Sequence, residues 1–195
     1  MDKKEIRKQI RNRKSGLMTL EICRVSRPII DNVISMPEFM EAEAIYTYLE
    51  YNQEIITHPI VSKAWEMGKR VAVPKIISKV MEFCYIESFD DVFPGYMGIL
   101  EPIDEVIANE KKAFVIMPGL AYDRNMNRIG YGGRFYDRYF ADHKDNDYYK
   151  VALCYDFQII DHIETEPHDV PVDAIVTAGK VWKREDIGNF EVKEL

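Results

Sequence analysis

The stretch at residues 113–140, AFVIMPGLAYDRNMNRIGYGGRFYDRYF, sets the reading of the whole chain. Its first five residues form an apolar run, predicted as a buried strand, that ends at the Pro118-Gly119 break. A charged loop follows, then Gly130, Gly132 and Gly133, then a helix rich in aromatics. This is the order in which a sheet edge meets a phosphate. Glycines let backbone N–H groups close on an anion without a Cβ in the way, and the positive end of the next helix adds to the attraction. Arg124, Arg128 and Arg134 suit phosphate oxygens, while Asp123 and Asp137 are hard oxygen ligands of the kind magnesium takes. The stretch is read as a nucleotide-handling centre, with a purely structural turn as the alternative. GYGGRF matches neither the Walker A pattern nor a complete GxGxxG fingerprint.

Working outward, 195 residues suffice for a single α/β domain spanning 1–195, with a mostly parallel sheet flanked by helices. An apolar share of 47% and a charged share of 30% are those of a globular chain. A net charge of −7 argues against a general nucleic-acid binder but leaves room for a local basic pocket. Cys23, Cys84 and Cys154 are odd in number and widely spaced, so buried free thiols are expected rather than a disulfide framework or zinc site. No apolar run has the length of a membrane span and the amino terminus lacks a signal-peptide core, which points to a cytoplasmic protein without a membrane partner.

Residues 3–14, KKEIRKQIRNRK, place Ile6 and Ile10 on one helical stripe with Leu17 beyond, and leave the other faces basic. That helix is either a solvated face or an electropositive wall over an anion, and the acidity of the rest of the chain favours the wall. A second helix is expected over 19–34, with Ile22, Val25, Ile29, Ile30 and Val33 inward. Residues 44–51, AIYTYLEY, read as the first buried strand, running into a loop with Glu50 and Glu54 at the carboxyl end where open parallel sheets hold ligands. A helix from an N-cap at Thr57 to Met67, stopped by Gly68, and a strand over 70–74 continue a β-α-β rhythm. A strand over 80–88 precedes a long loop at 90–104, read as a lid or a surface excursion. Further strands fall at 149–154 and 174–177, the latter the last clear one. Between them His168 reads as a base or ligand, or as an ordinary loop histidine, and Asp173 is equally open.

Several of these segments together resemble one family. PGLAYDRNMNRIGYGGRFYDRY is similar to the signature of 5-formyltetrahydrofolate cyclo-ligases, also called methenyltetrahydrofolate synthetases, whose usual form is close to PGLAFDxxGxRLGYGGGYYDRY. KKEIRKQIRNR looks like the family's basic helix, YLEYNQEIIT its folate-side loop, RVAVPKI its Lys-Val-Pro strand, GILEP its Gly-x-x-Glu-Pro turn and EPHDVPVDAIVT its carboxyl-terminal segment. The chain departs at Met126, where relatives carry glycine, leaving the turn to Asn125 or Asn127. It departs again at Arg134 and Phe135, where relatives carry glycine or lysine and tyrosine.

The resemblance implies a fold shared with sugar-phosphate isomerases and coenzyme A transferases. It also implies an ATP- and magnesium-dependent conversion of 5-formyltetrahydrofolate to 5,10-methenyltetrahydrofolate, with release of ADP and phosphate. It assigns catalytic roles to Arg128, Arg134 and Tyr136, and ATP contacts to Lys3, Lys4, Arg7, Arg128, Gly130, Tyr131, Gly132, Gly133, Arg134, Phe135 and Tyr136. Leu49 and Glu54 would bind the pterin side, and Asp137 and Asp173 the magnesium. The partners would then be small molecules, in a monomer or weak homodimer. Competing readings are an ATP-independent isomerase or acyl transferase on the same fold, a non-catalytic folate or nucleotide binder, and a nucleic-acid binder built on the first helix.

Overall fold

The computed structural model describes residues 2–189. The chain opens with α1 (Lys3–Ser15), α2 (Thr19–Ile34) and the short α3 (Pro37–Glu41), and β1 (Ala44–Tyr46) leads by a loop to α4 (His58–Glu66). Next come β2 (Arg70–Ile77), β3 (Val80–Ile86), β4 (Val92–Pro94), β5 (Leu100–Pro102) and β6 (Lys112–Met117). After β7 (Ala121–Asp123) and β8 (Arg128–Ile129) the chain enters α5 (Phe135–Asp142), and β9 (Asp147–Leu153), β10 (Ile159–Ile160), β11 (Ala174–Val176) and β12 (Val181–Lys183) follow.

Seven strands form the main sheet in the order β12-β11-β9-β6-β1-β2-β3. The five inner strands are parallel, and β3 and β12 close the two edges antiparallel. From β1 the chain first moves to β2 on one side and later to β6 on the other. The order therefore reverses between β1 and β6, and the loops leaving their carboxyl ends flank a topological switch point, where open α/β sheets hold ligands.

Both faces of this sheet are covered, so its inner strands are apolar throughout rather than alternating. Ile45, Ile116 and Val151 pack with Ile29 and Val33 of α2, Phe39 of α3 and Ile60 of α4. Tyr46, Val115 and Phe83 pack on the other face with Tyr139 and Phe140 of α5. Helix α1 covers a separate three-stranded sheet, β10-β7-β8, through Ile6 and Ile10 against Leu120, Ala121, Ile129 and Ile163. Its start is fixed by Asp2, whose Oδ1 accepts from the Glu5 amide at 2.7 Å.

Five expectations need correction. The strand foreseen over 44–51 ends at Tyr46, because the chain turns out of the sheet while Tyr48 and Leu49 stay buried in the helix-side core. Burial, not strand pairing, explains that apolar run. The stretch 90–104 is no open loop: β4 and β5 pair as a hairpin, tied down by the Lys75 ammonium donating to the Pro102 and Ile103 carbonyls. A strand beyond β11 was not foreseen, since β12 offers only Val-Trp-Lys as a signal. Cys23 is exposed, unlike Cys84 and Cys154. The strand begun at Arg70 also runs past Pro74, which lies beyond the β1 pairing that ends at Ala72 and so interrupts no bond to that neighbour.

Candidate active site

β6 delivers the chain to Pro118 and Gly119 at the switch point, and the β7-β8 hairpin returns it to the glycine cluster. A Cβ on Gly130 would stand 2.7 Å from the Arg128 guanidinium, so glycine is what lets that side chain fold beneath the corner. Gly132 has φ +111°, a conformation other residues rarely take. Arg134 then adopts a left-handed φ of 55° as the N-cap of α5 and gives the helix no side-chain cap. The first amides of α5 therefore have no side-chain acceptor at the cap and suit an anion.

Arg128 is buried beneath this corner. It donates to Asp137 Oδ1 at 2.7 Å and to the Pro118 carbonyl at 3.2 Å. Its Nε, the Tyr122 hydroxyl and the Tyr136 hydroxyl are buried without a hydrogen-bond partner. Such atoms are uncommon in folded proteins, and three around one corner mark a place where polar ligand atoms belong. Burial pushes the Tyr122 and Tyr136 phenols well up, so both act there as neutral O–H groups.

Helix α1 clasps the corner. Arg7 Nε donates to the Gly130 carbonyl at 2.8 Å, Arg11 to the Tyr131 carbonyl at 3.1 Å and Lys14 Nζ to the Tyr131 hydroxyl at 3.3 Å. The spacing i, i+4, i+7 puts these three on one stripe. Lys3, one turn earlier, binds Asp169 at 2.5 Å and Glu166 at 3.1 Å. Lys4 is exposed, in a shallow groove of α1 with Lys8 and Arg11. Arg134 and Arg124 are exposed as well.

On the other side of the switch point, the loop after β1 carries two carboxylates with different fates. Glu54 accepts from the Tyr131 hydroxyl through Oε1 at 2.5 Å and from the Tyr51 amide through Oε2 at 3.0 Å. One hydrogen bond thus spans the two loops. Glu54 lines a small cleft with Lys14, Tyr48, Pro118, Gly119 and Gln158. Burial raises its pKa, against the opposing pull of Lys14. Leu49 is absent from that lining; at 2% exposed it packs in the helix-side core.

Glu50 binds the Thr57 amide and hydroxyl, and His58 Nδ1 at 2.6 Å. Thr57 is the N-cap residue of α4, as expected, but its hydroxyl serves this loop and makes no side-chain cap bond. Burial would raise Glu50, but the bonds from His58 and Thr57 overcome it and hold its pKa at about 2. His58 is raised from its ordinary 6.5 chiefly by Glu50. The carboxylate's contribution is present above its unfolded value near 4.5 and the imidazolium's is lost as pH rises through the raised His58 pKa. The pair therefore stabilises the protein most between about pH 4.5 and 6.5. With His58 about one-third exposed, the effect is roughly 1 kcal/mol or less. Urea unfolding at about pH 5.5 and about pH 8.5 is expected to show this loss in the wild type and little of it in His58→Gln; equal slopes in both would contradict it.

The acidic residues sort differently from expectation. Asp123 is no metal ligand: it is fully buried, and its two oxygens accept from the amides of Asn125, Asn127 and Ile163 and from the Asn127 side chain. Met126 itself takes the left-handed turn conformation, at φ 67°, where Asn125 or Asn127 had been expected to. Asp137 is at the corner, its Oδ1 shared by Arg128 and the Val170 amide. Asp173 has other partners. That residue sits at the amino end of β11, bound to Lys150 at 2.9 Å and near Arg184 at 3.8 Å. The carboxylate that this segment does bring to α1 is Asp169. Among the described residues, Glu166, His168 and Asp169 are the one group of three whose ligand atoms lie within 4.8 Å of each other. Sequence reasoning also passed over Arg11, Lys14 and Tyr122. The basic stripe of α1 carried the signal for the first two.

Fold and site together define a doubly wound α/β protein with a polar cleft at its switch point, roofed by a cationic helix. Comparison with known proteins agrees. The profile of the 5-formyltetrahydrofolate cyclo-ligase family matches residues 1–178, and the chain belongs to that family. The 5-formyltetrahydrofolate cyclo-ligase of Escherichia coli K12 is 25% identical over 180 residues, covering 89% of this chain and 99% of the relative. That of Mycolicibacterium smegmatis is 36% identical over 146 residues, covering 71% and 75%. The NMR structure of Aquifex aeolicus 5,10-methenyltetrahydrofolate synthetase superposes with a TM-score of 0.84 at 28% identity, over 95% of this chain and 94% of that one.

Proposed function

We propose that this chain cyclises 5-formyltetrahydrofolate to 5,10-methenyltetrahydrofolate at the expense of ATP. The observation that carries the reading is the cluster of unpartnered buried donors, Arg128 Nε and the Tyr122 and Tyr136 hydroxyls, under a glycine corner that α1 roofs with cations. Family membership supplies the reaction; the cleft supplies the means. The triphosphate lies against the Gly130, Tyr131, Gly132 and Gly133 backbone and the amino end of α5, with Lys3, Lys4, Arg7 and Arg134 offsetting its charge and Phe135 and Tyr136 beside it. Glu54 holds the pterin side from the facing loop. Leu49 supports that loop from behind.

The chemistry asks for positioning more than for covalent help. The formyl oxygen forms a bond to the terminal phosphorus as the bond to ADP breaks. N10 then attacks the formyl carbon and loses its proton, and the C–O bond breaks to release phosphate. Arg128 and the corner amides stabilise charge on the transferring group, and the roof of α1 keeps water from it. Asp137 fits a magnesium site, because Arg128 and the Val170 amide use only its Oδ1. Asp173, the second ligand that the family resemblance implies, would complete the site, with Asp169 beside Lys3 as the alternative. When bound there, magnesium offsets charge on the phosphoryl oxygens. The cytoplasm is the expected compartment, consistent with two buried thiols outside any disulfide, and no helix among the described residues is long and apolar enough to cross a membrane.

The test is direct. Purified protein given 5-formyltetrahydrofolate, ATP and magnesium should generate the methenyl chromophore, and no absorbance growth with active substrates would remove the reading. Arg134→Ala should raise the KM for ATP by roughly three- to tenfold with the folate KM unchanged. An unaltered ATP dependence would show Arg134 serving solvent alone.

A further inference from the structure

Lys14 faces the cleft from α1 and is only 6% exposed, although lysines are seldom buried without a partner. Its ammonium turns inward where an exposed helix lysine would extend its head to water. The docking of α1 does not depend on it, since Arg7 and Arg11 already bind the Gly130 and Tyr131 carbonyls. What Lys14 does touch is a chain of donors. Its Nζ donates to the Tyr131 hydroxyl at 3.3 Å, and that hydroxyl donates to Glu54 Oε1 at 2.5 Å. Each donor polarises the next, and the series ends on the one carboxylate that lines the cleft. Two N–H groups of the ammonium remain for a ligand.

We infer that Lys14 is a positioning residue for the folate: through Tyr131 it fixes the orientation and charge of Glu54 in the cleft. This rests on the reading of Glu54 as the pterin-side residue. Burial lowers the Lys14 pKa while Glu54 opposes that shift, as expected of two charges that stabilise each other out of water.

Calorimetric titrations of 5-formyltetrahydrofolate and, separately, of magnesium-ATP into wild type, Lys14→Met, Lys14→Gln and Lys14→Arg test the inference. The Met and Gln forms should lose about tenfold or more in folate affinity, with ATP affinity within about twofold of wild type. Lys14→Arg, which keeps the charge, should regain most of the loss. Unchanged folate affinity in either folded neutral variant, equal losses for both ligands, or an arginine form as weak as the methionine form would overturn it. Wild-type protein that binds folate in this Lys14-dependent way yet forms no methenyl product would leave the inference standing and remove the ligase reading instead.

Discussion

Arg128→Met is expected to be the most damaging single substitution in the site. The guanidinium is 4% exposed and Asp137 13%, so removing the cation strands a buried carboxylate as well as the Pro118 carbonyl. Breaking such a pair from one side costs roughly 3–5 kcal/mol. For a chain of this size that lowers the melting temperature by about 10 °C. Turnover should fall a further 10²- to 10³-fold or so, the usual loss of one preorganised donor to a developing charge. Arg128→Lys should recover part of the stability but little of the rate, because an ammonium lacks the planar guanidinium that reaches Asp137 and Pro118 with two nitrogens and keeps Nε for a ligand. Melting curves and kcat on the same preparations measure both effects. A stable, active Arg128→Met protein would mean that the corner does not depend on this pair.

Glu54→Gln should separate binding from stability in the opposite sense. Burial already works against the charged form of Glu54, so replacing it by a neutral amide of the same shape removes a desolvation cost. Against that gain, the buried Lys14 ammonium loses the carboxylate that favours its charge, so the melting temperature should fall by less than in Arg128→Met. Folate, however, loses a charged acceptor, and its KM should rise about 10- to 100-fold while the ATP KM holds. Equal increases in both KM values would place Glu54 on the nucleotide side.

The elements on which these predictions stand differ in how plainly the sequence announced them. Helix α2 was foreseen with its observed ends, and α1, β6 and the corner before α5 fell where expected, because their spacing is set by local rules of apolar period, a Pro-Gly break and glycine. The close of β1 was not legible: Tyr48 and Leu49 look like strand residues since the core buries them after the chain has left the sheet. In the β4-β5 hairpin the pairing is three residues long on each side and is secured from outside by Lys75, which no local pattern records. The carboxylates show the same limit. Asp169 and Asp173 are equivalent by composition, and only the path from the Val170 amide on Asp137 to the amino end of β11 separates a residue beside α1 from one that anchors β12 through Arg184. Gathering of Lys14, Tyr131 and Glu54 from three distant segments is likewise a product of topology, through the reversal between β1 and β6.

A crystal structure with a non-hydrolysable ATP analogue and 5-formyltetrahydrofolate tests the centre of this account. The terminal phosphate is predicted against the Gly130–Gly133 amides, under Lys3 and Arg7, with the formyl oxygen facing it and Glu54 on the pterin. A triphosphate bound elsewhere on the sheet, or a folate on the far side of α1, would contradict it.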